Sequence, residues 1–226
     1  MTRSYALGPT AALAAALIVA ACRGAPKTAV QPAPQPATAD VAALARARTD
    51  SARHPYTEAD VYFMSGMIHH HAQAIVMAGW APTHGASPSV RTLAERIINA
   101  QQDEIATMQQ WLRDRGQPAP EASATGKKMT MNGMEHEMLM PGMLTQTQMQ
   151  QLDAARDTEF DRLFLTLMIQ HHRGAVSMVK DLFASTGAAQ EETVFKFASD
   201  VNVDQTTEIA RMERMRTALA LEGRSQ

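Results

Sequence analysis

The sequence predicts an all-α fold, a four-helix bundle built from two copies of one helical hairpin. The pattern F-x-x-x-M-I-x-H-H-x-x-A-x-x-M occurs at 63–77 and again, 101 residues later, at 164–178. A second pattern, Q-x-x-E-I-x-x-M, follows each copy, at 101–108 and at 205–212. Both patterns space their apolar residues as helices do, and strand-like alternation is not evident. Because one hairpin cannot bury its apolar stripe alone, we expect the two copies to pack face to face.

Residues 1–21 of the 226-residue chain are predicted to be a lipoprotein signal peptide. Arg3 precedes the apolar run 11–21, whose 11 residues are too few to span a bilayer. The run ends in V-A-A-C at 19–22, which resembles a bacterial lipobox. Cys22 is therefore the expected lipidation site and membrane anchor, with an ordinary signal peptide as the alternative. As the single cysteine, it excludes a disulfide within the chain.

The next stretch, 22–54, is rich in Pro and Ala and is predicted to be a flexible tether, with a short helix over 40–53 as its one candidate element. The first hairpin is assigned to 55–115. Thr57, with Asp60 three residues later, is a credible helix N-cap. Prolines and glycines then separate the two predicted helices, which cover 58–79 and 88–114.

A methionine-rich segment, 116–156, separates the hairpins and contains a predicted short helix over 145–155. The second hairpin is assigned to 157–226, with helices over 158–184 and 189–221. The segment is either a linker whose methionines pack loosely over the bundle or a flexible thioether cluster that captures soft cations. Over 116–144 it contains six methionines, Met129, Met131, Met134, Met138, Met140 and Met143, together with His136.

The repeated patterns place potential metal ligands on the core-facing side of each hairpin. At about 100° per residue, the Met and His residues of one copy share an arc of about 120°, as wide as a core stripe. Gln and Glu of the second pattern share a face of the returning helix. A metal site should therefore draw on both helices of a hairpin. The candidate ligands are Met67, His70, His71, Met77, Glu104 and Met108, then Met168, His171, His172, Met178, Glu208 and Met212.

Imidazole nitrogen combined with thioether sulfur suits Cu(I) and, by extension, Ag(I), whereas imidazole with carboxylate suits Cu(II), Zn(II) or iron. Glu104 and Glu208 are either ligands or acceptors that orient a histidine through its other ring nitrogen. The alternative is structural: single helical methionines usually pack a core, and paired His–Glu hydrogen bonds could fix the register of the bundle.

These motifs, duplicated after a lipoprotein-type leader, resemble the domain-of-unknown-function 305 family (DUF305) over about residues 55–220. The resemblance implies a ferritin-like four-helix bundle in the cell envelope and favours copper handling. Gln101 and Gln205 match the family motif as well, besides the twelve candidate ligands. Asp60 and Asp161 occupy equivalent places before the two motifs, where they are either caps or part of the site.

The expected function is an envelope-anchored, non-enzymatic protein, periplasmic or attached to the outer membrane, that binds copper for sequestration, tolerance or delivery. One alternative is a ferritin-like redox enzyme, which the lack of any Glu-x-x-His motif disfavours. Another is a metal-free interaction module whose histidines titrate near pH 6.5. Other metals and a homo-oligomeric state stay open. The net charge of −2 gives no basis for nucleic-acid binding.

Overall fold

The computed structural model describes residues 55–131 and 134–222. The signal peptide, Cys22 and the tether therefore lie outside the described residues. Five helices and two short strands follow in the order α1 (Glu58–Gly79), α2 (Pro88–Asp114), β1 (Lys127–Met131), β2 (Met134–Met138), α3 (Gln146–Ala154), α4 (Asp157–Ala184) and α5 (Glu192–Glu222). Helices α1 and α2 form one hairpin and α4 and α5 the other, so the predicted bundle of two hairpins is confirmed.

The helix starts follow from local capping. Thr57 and Asp60 form a reciprocal capping box at α1, and Ser87 caps α2 with Pro88 in its first turn. Helix α5 begins three residues later than the sequence predicts. The preceding loop continues through Ala189, whose φ of 53° is not helical.

The two hairpins meet through α1 and α4, which run antiparallel. The start of α1 shares one apolar cluster with the end of α4, and the end of α1 shares a second cluster with the start of α4. Three predicted ligands lie in each cluster, two from one hairpin and one from the other. The first cluster holds Met67, Met108 and Met178, and the second holds Met168, Met212 and Met77.

Two aspartates tie the hairpins together at opposite ends of the bundle. Asp60 accepts a hydrogen bond from the backbone N–H of Ala189 at 2.7 Å. Asp161 accepts the backbone N–H of Ser87 at 3.1 Å and 3.2 Å through its two oxygens. Each aspartate is buried and binds the inter-helix loop of the other hairpin. Their equivalent positions therefore serve assembly of the bundle, at its ends.

The methionine-rich segment is more ordered than the sequence suggests. Strands β1 and β2 pair antiparallel, with Met129 opposite His136. The sequence shows no strand-like alternation here, although the Asn-Gly dipeptide at 132–133 is a type that favours hairpin connections. Beyond the strands, Met140 and Met143 are 2% and 5% exposed, so these two methionines are packed into the core.

Within the described part of the chain, no helix is long and apolar enough to cross a membrane.

Candidate metal centre

Four buried histidines form a layer where α1 crosses α4, and we call His70, His71, His171 and His172 the histidine layer. Each is at most 1% exposed. The rings of His70 and His171 lie against each other with centroids 3.8 Å apart and planes inclined by 40°. Within each motif, the neighbouring rings are 6.3 Å apart. The structure thus brings the two histidine pairs of the repeat into one layer.

The outer histidine of each pair is held by a glutamate on the returning helix. His71 Nε2 lies 2.6 Å from Glu104 Oε2, and His172 Nε2 lies 2.7 Å from Glu208 Oε2. A carboxylate only accepts hydrogen bonds, so we infer that Nε2 carries the proton in each ring. A neutral ring then keeps its lone pair on Nδ1. Both Nδ1 atoms lack a hydrogen-bond partner among the described residues.

The inner pair is even less satisfied. His70 Nε2 lies 3.0 Å from the carbonyl oxygen of Pro141, but its Nδ1 has no hydrogen-bond partner within the described chain. Neither ring nitrogen of His171 has a partner of normal geometry there. Buried polar atoms without partners cost about 1–3 kcal/mol each. Such a concentration in one layer marks a site that is arranged for something other than stability.

The inner histidines are neutral. Burial, reinforced by the neighbouring His71 and His172, lowers the pKa of His70 from 6.5 to about 3. Burial, and then the adjacent His70, also lowers the pKa of His171 well below its usual value. Neutral imidazole is the form that binds metals. His70 and His171 therefore present unprotonated nitrogen donors at any pH near neutrality.

The predicted thioether ligands lie in the apolar clusters above and below this layer. The twelve candidates thus do not form a single coordination sphere. In the described residues, no group of three or more His, Cys, Asp or Glu side chains is arranged to hold a metal ion. Histidine nitrogen combined with methionine sulfur is a different donor set.

A contribution that sequence reasoning missed comes from the turn at 140–144. The Pro141 carbonyl covers His70, and Gly142 lies against Gly174 of α4 so closely that a Cβ on either glycine would overlap backbone of the other segment. Gln73 fixes the end of this turn, because its side chain accepts from Leu144 N–H at 2.6 Å and donates to Leu144 O at 3.1 Å. Gly142 and Gly174 are visible in the sequence, but their contact is not, because it depends on how the turn packs on α4.

Glu104, the partner of His71, lines a groove between α2 and α5. The groove has a volume of about 750 Å³, and five of its ten lining residues are acidic. Asp204 also lines the groove. Partial burial, and then the charges of Glu104, Glu208 and Asp200, raise the pKa of its carboxyl.

His69, the extra histidine of the first motif, lies outside the layer, with its Nδ1 3.3 Å from Ser123 O.

Comparison with known proteins identifies a family to which this chain is similar. Residues 60–216 match the family model of the domain of unknown function DUF305. A DUF305 fragment from Deinococcus radiodurans has a similar structure, with a TM-score of 0.60, 29% identity, and coverage of 73% of this chain and 99% of that one. A DUF305 protein from Streptomyces coelicolor that is assigned as secreted gives a TM-score of 0.60 at 28% identity, covering 72% and 94%.

CopM in its Cu(I)-bound form is similar with a TM-score of 0.53 and 28% identity, over 70% of this chain and 96% of CopM. CopM structures in Cu(II)-bound and Ag-bound forms also match. An uncharacterized protein of Acanthamoeba polyphaga mimivirus is 39% identical to this chain over 56 residues. The aligned stretch is 25% of this chain and only 37% of the length of that protein. Because the family model covers most of the described chain, the protein belongs to the DUF305 family.

Proposed function

We propose that this protein binds copper ions as cargo in the bacterial cell envelope, for sequestration, tolerance or delivery. The observation that carries the proposal is the contact between His70 and His171. Two neutral, fully buried imidazoles from different hairpins meet at 3.8 Å and leave three ring nitrogens without a hydrogen-bond partner among the described residues. A purely structural histidine would be expected to have its nitrogens paired.

The donor set supports copper in particular. Imidazole nitrogens occupy the layer, and six methionines with thioether sulfurs belong to the two apolar clusters. Nitrogen and thioether donors together suit Cu(I) and Ag(I). Glu104 and Glu208 fit the role of orienting groups, since each binds the Nε2 of an outer histidine and leaves Nδ1 available. The similarity to CopM, whose structures contain Cu(I), Cu(II) or silver, points the same way.

The role we propose is non-enzymatic. A di-iron redox site in a helical bundle needs Glu-x-x-His on two helices, and this chain contains no such motif. The four histidines are also almost fully buried, which suits storage or transfer of an ion better than turnover of a larger substrate. Lipidation at Cys22, with attachment to the envelope membrane, belongs to the same proposal, and the Streptomyces relative assigned as secreted supports a location outside the cytoplasm.

The test is a Cu(I) titration of the purified chain under reducing conditions, in competition with a chromophoric chelator. We expect tight binding that is lost when His70, His71, His171 and His172 are all replaced by alanine. The matched control is His69→Ala, which removes a histidine outside the layer and should leave the affinity unchanged. Circular dichroism reports whether each variant is folded. Absence of tight binding by the unaltered chain, or unchanged binding by a folded quadruple variant, contradicts the proposal.

A further inference from the structure

The groove between α2 and α5 is strongly acidic. Of its lining residues, five carry carboxylates and one, Lys196, carries an amine that is already paired with Asp200 at 2.5 Å. These carboxylates come from both helices, so the negative charge faces inward from two sides. The acidic residues that line the groove are Asp103, Glu104, Glu192, Asp200 and Asp204.

Glu104 connects this groove to the histidine layer. Its side chain lines the groove and is 18% exposed, yet its carboxylate accepts a hydrogen bond from His71, which is fully buried. Glu208 accepts a hydrogen bond from His172 in the same way and is also 18% exposed; it is not a lining residue of the groove, but its charge acts on Asp204, which is. A single side chain thus spans the distance from solvent to the layer in each hairpin.

Two further buried side chains of the repeat lack a full set of hydrogen-bond partners among the described residues. Gln101 and Gln205 precede Glu104 and Glu208 by one turn on the same helix faces and are 2% and 3% exposed. The Oε1 atom of each has no hydrogen-bond partner in the described part of the chain. Oxygen acceptors left unpaired at this depth are suited to a cation or its water ligands.

The layer is closed from another side. The Pro141 carbonyl covers His70, and the contact of Gly142 with Gly174 leaves no space for an added methyl group. Gln73 holds the same turn through two hydrogen bonds to Leu144. An ion that approached through the turn would have to displace buried backbone, whereas the groove is already open to solvent.

We propose that the acidic groove is the access route by which hydrated copper ions reach the histidine layer. This inference rests on the proposed function and concerns the rate at which copper associates with the protein. A cleft lined by charge of one sign concentrates counter-ions and raises association rates by about 10-fold to 1,000-fold, an effect that weakens with ionic strength. Asp103 and Asp204 attract the ion from the two walls, and Glu104 receives it beside His71.

The test measures how fast copper binds. The probe is Cu(II) alone, followed by stopped-flow quenching of tryptophan fluorescence. Trp111 lies seven residues beyond Glu104 on α2, about 10 Å along the helix axis. The test variant is Asp103→Asn with Asp204→Asn, which removes one carboxylate from each wall and alters no contact with the histidine layer. The matched control is Glu95→Gln with Glu159→Gln, two exposed carboxylates outside the groove, so both variants change the net charge equally.

At low ionic strength, we expect the groove variant to bind Cu(II) about 3-fold to 10-fold more slowly than the unaltered chain, with the same stoichiometry and dissociation rate. The control should bind at the original rate, and the difference should vanish near 0.5 M salt, where the Debye length is about 4 Å. An unchanged rate in the groove variant overturns the access route while leaving copper binding intact. A lower stoichiometry also overturns it, because the groove carboxylates would then be ligands. No binding by the unaltered chain would instead refute the proposed function.

Discussion

His70 and His171 hold equivalent places in the two repeats and touch each other across the bundle, with ring centroids 3.8 Å apart. An interaction between equivalent residues lies on the approximate two-fold axis that relates the hairpins. Duplication of one motif therefore produces a single central pair, and each hairpin alone contributes half of it. The His71–Glu104 and His172–Glu208 pairs flank this centre symmetrically.

Replacing His171 by leucine should stabilise the metal-free protein. Both of its ring nitrogens are buried without a hydrogen-bond partner of normal geometry among the described residues. An apolar side chain of similar size therefore removes the free-energy cost of burying these unpaired polar atoms. We expect the free energy of unfolding in urea to rise by about 1–3 kcal/mol, and Cu(I) affinity to fall. The control is His84→Leu. His84 is also buried, but its Nε2 binds Asp153 at 2.9 Å and 3.0 Å, so its loss should destabilise the fold. A less stable His171→Leu variant would show that the layer contributes to stability.

The glutamates should control affinity through histidine orientation. In Glu104→Gln the side chain can still accept from His71 Nε2 but loses its charge, so we expect Cu(I) affinity to fall by about 10-fold to 100-fold. The symmetric Glu208→Gln should give the same loss. Glu213→Gln is the matched control, since Glu213 also lies on α5 but forms an exposed ion pair with Arg173 and not with a histidine. Chelator competition measures all three, and equal affinities throughout would exclude an orienting role.

The sequence was sufficient for the fold because the repeat supplied both the helix faces and the number of hairpins. It also indicated that Gln-x-x-Glu on the returning helix is the partner of the histidine motif, but not which histidine of each pair contacts the glutamate. It could not show that His70 meets His171. Helical periodicity fixes the face on which a side chain lies, whereas the contact depends on how the hairpins cross. The cover formed by Pro141 depends in the same way on distant packing.

Acid should destabilise the protein through the inner histidines. Their folded-state pKa values are lowered, to about 3 for His70 and in the same direction for His171, while the unfolded chain titrates near 6.5. Below pH 6.5 the unfolded state binds more protons, so stability is complete above that pH and is lost as pH falls towards 3. Each histidine contributes a slope of up to about 1.4 kcal/mol per pH unit.

Urea unfolding at several pH values measures this slope. The His171→Leu variant should lose stability less steeply between pH 6 and 4, because one of the two protons is no longer taken up on unfolding. Bound Cu(I) should steepen the dependence, since protons then compete with the metal for the histidines. A metal-free interaction module would instead show the same acid transition with and without copper. Stability that stays constant from pH 7 to 4 would contradict neutral, buried histidines in the native state.

The glycine at 174 should be required for closure of the layer. A Cβ at this position would overlap the Pro141 carbonyl, which is backbone and cannot rotate away. Gly174→Ala should therefore displace the turn from His70 and cost about 1–3 kcal/mol of stability, in spite of the better helix propensity of alanine. Gly79→Ala is the matched control, because Gly79 also lies in a long helix but an added Cβ there meets nothing within 4 Å. That change should be neutral or stabilise by up to about 1 kcal/mol.

Hydrogen exchange distinguishes local from global effects of the Gly174 change. We expect faster exchange at the backbone amide of Leu144, whose N–H is held by Gln73, and unchanged exchange in the middle of α2. If the turn also limits ion access, Cu(II) association should accelerate in this variant. If the groove between α2 and α5 carries the ions, the association rate should stay the same while the dissociation rate changes. Unaltered stability and exchange would mean that the turn does not seal the histidine layer in solution.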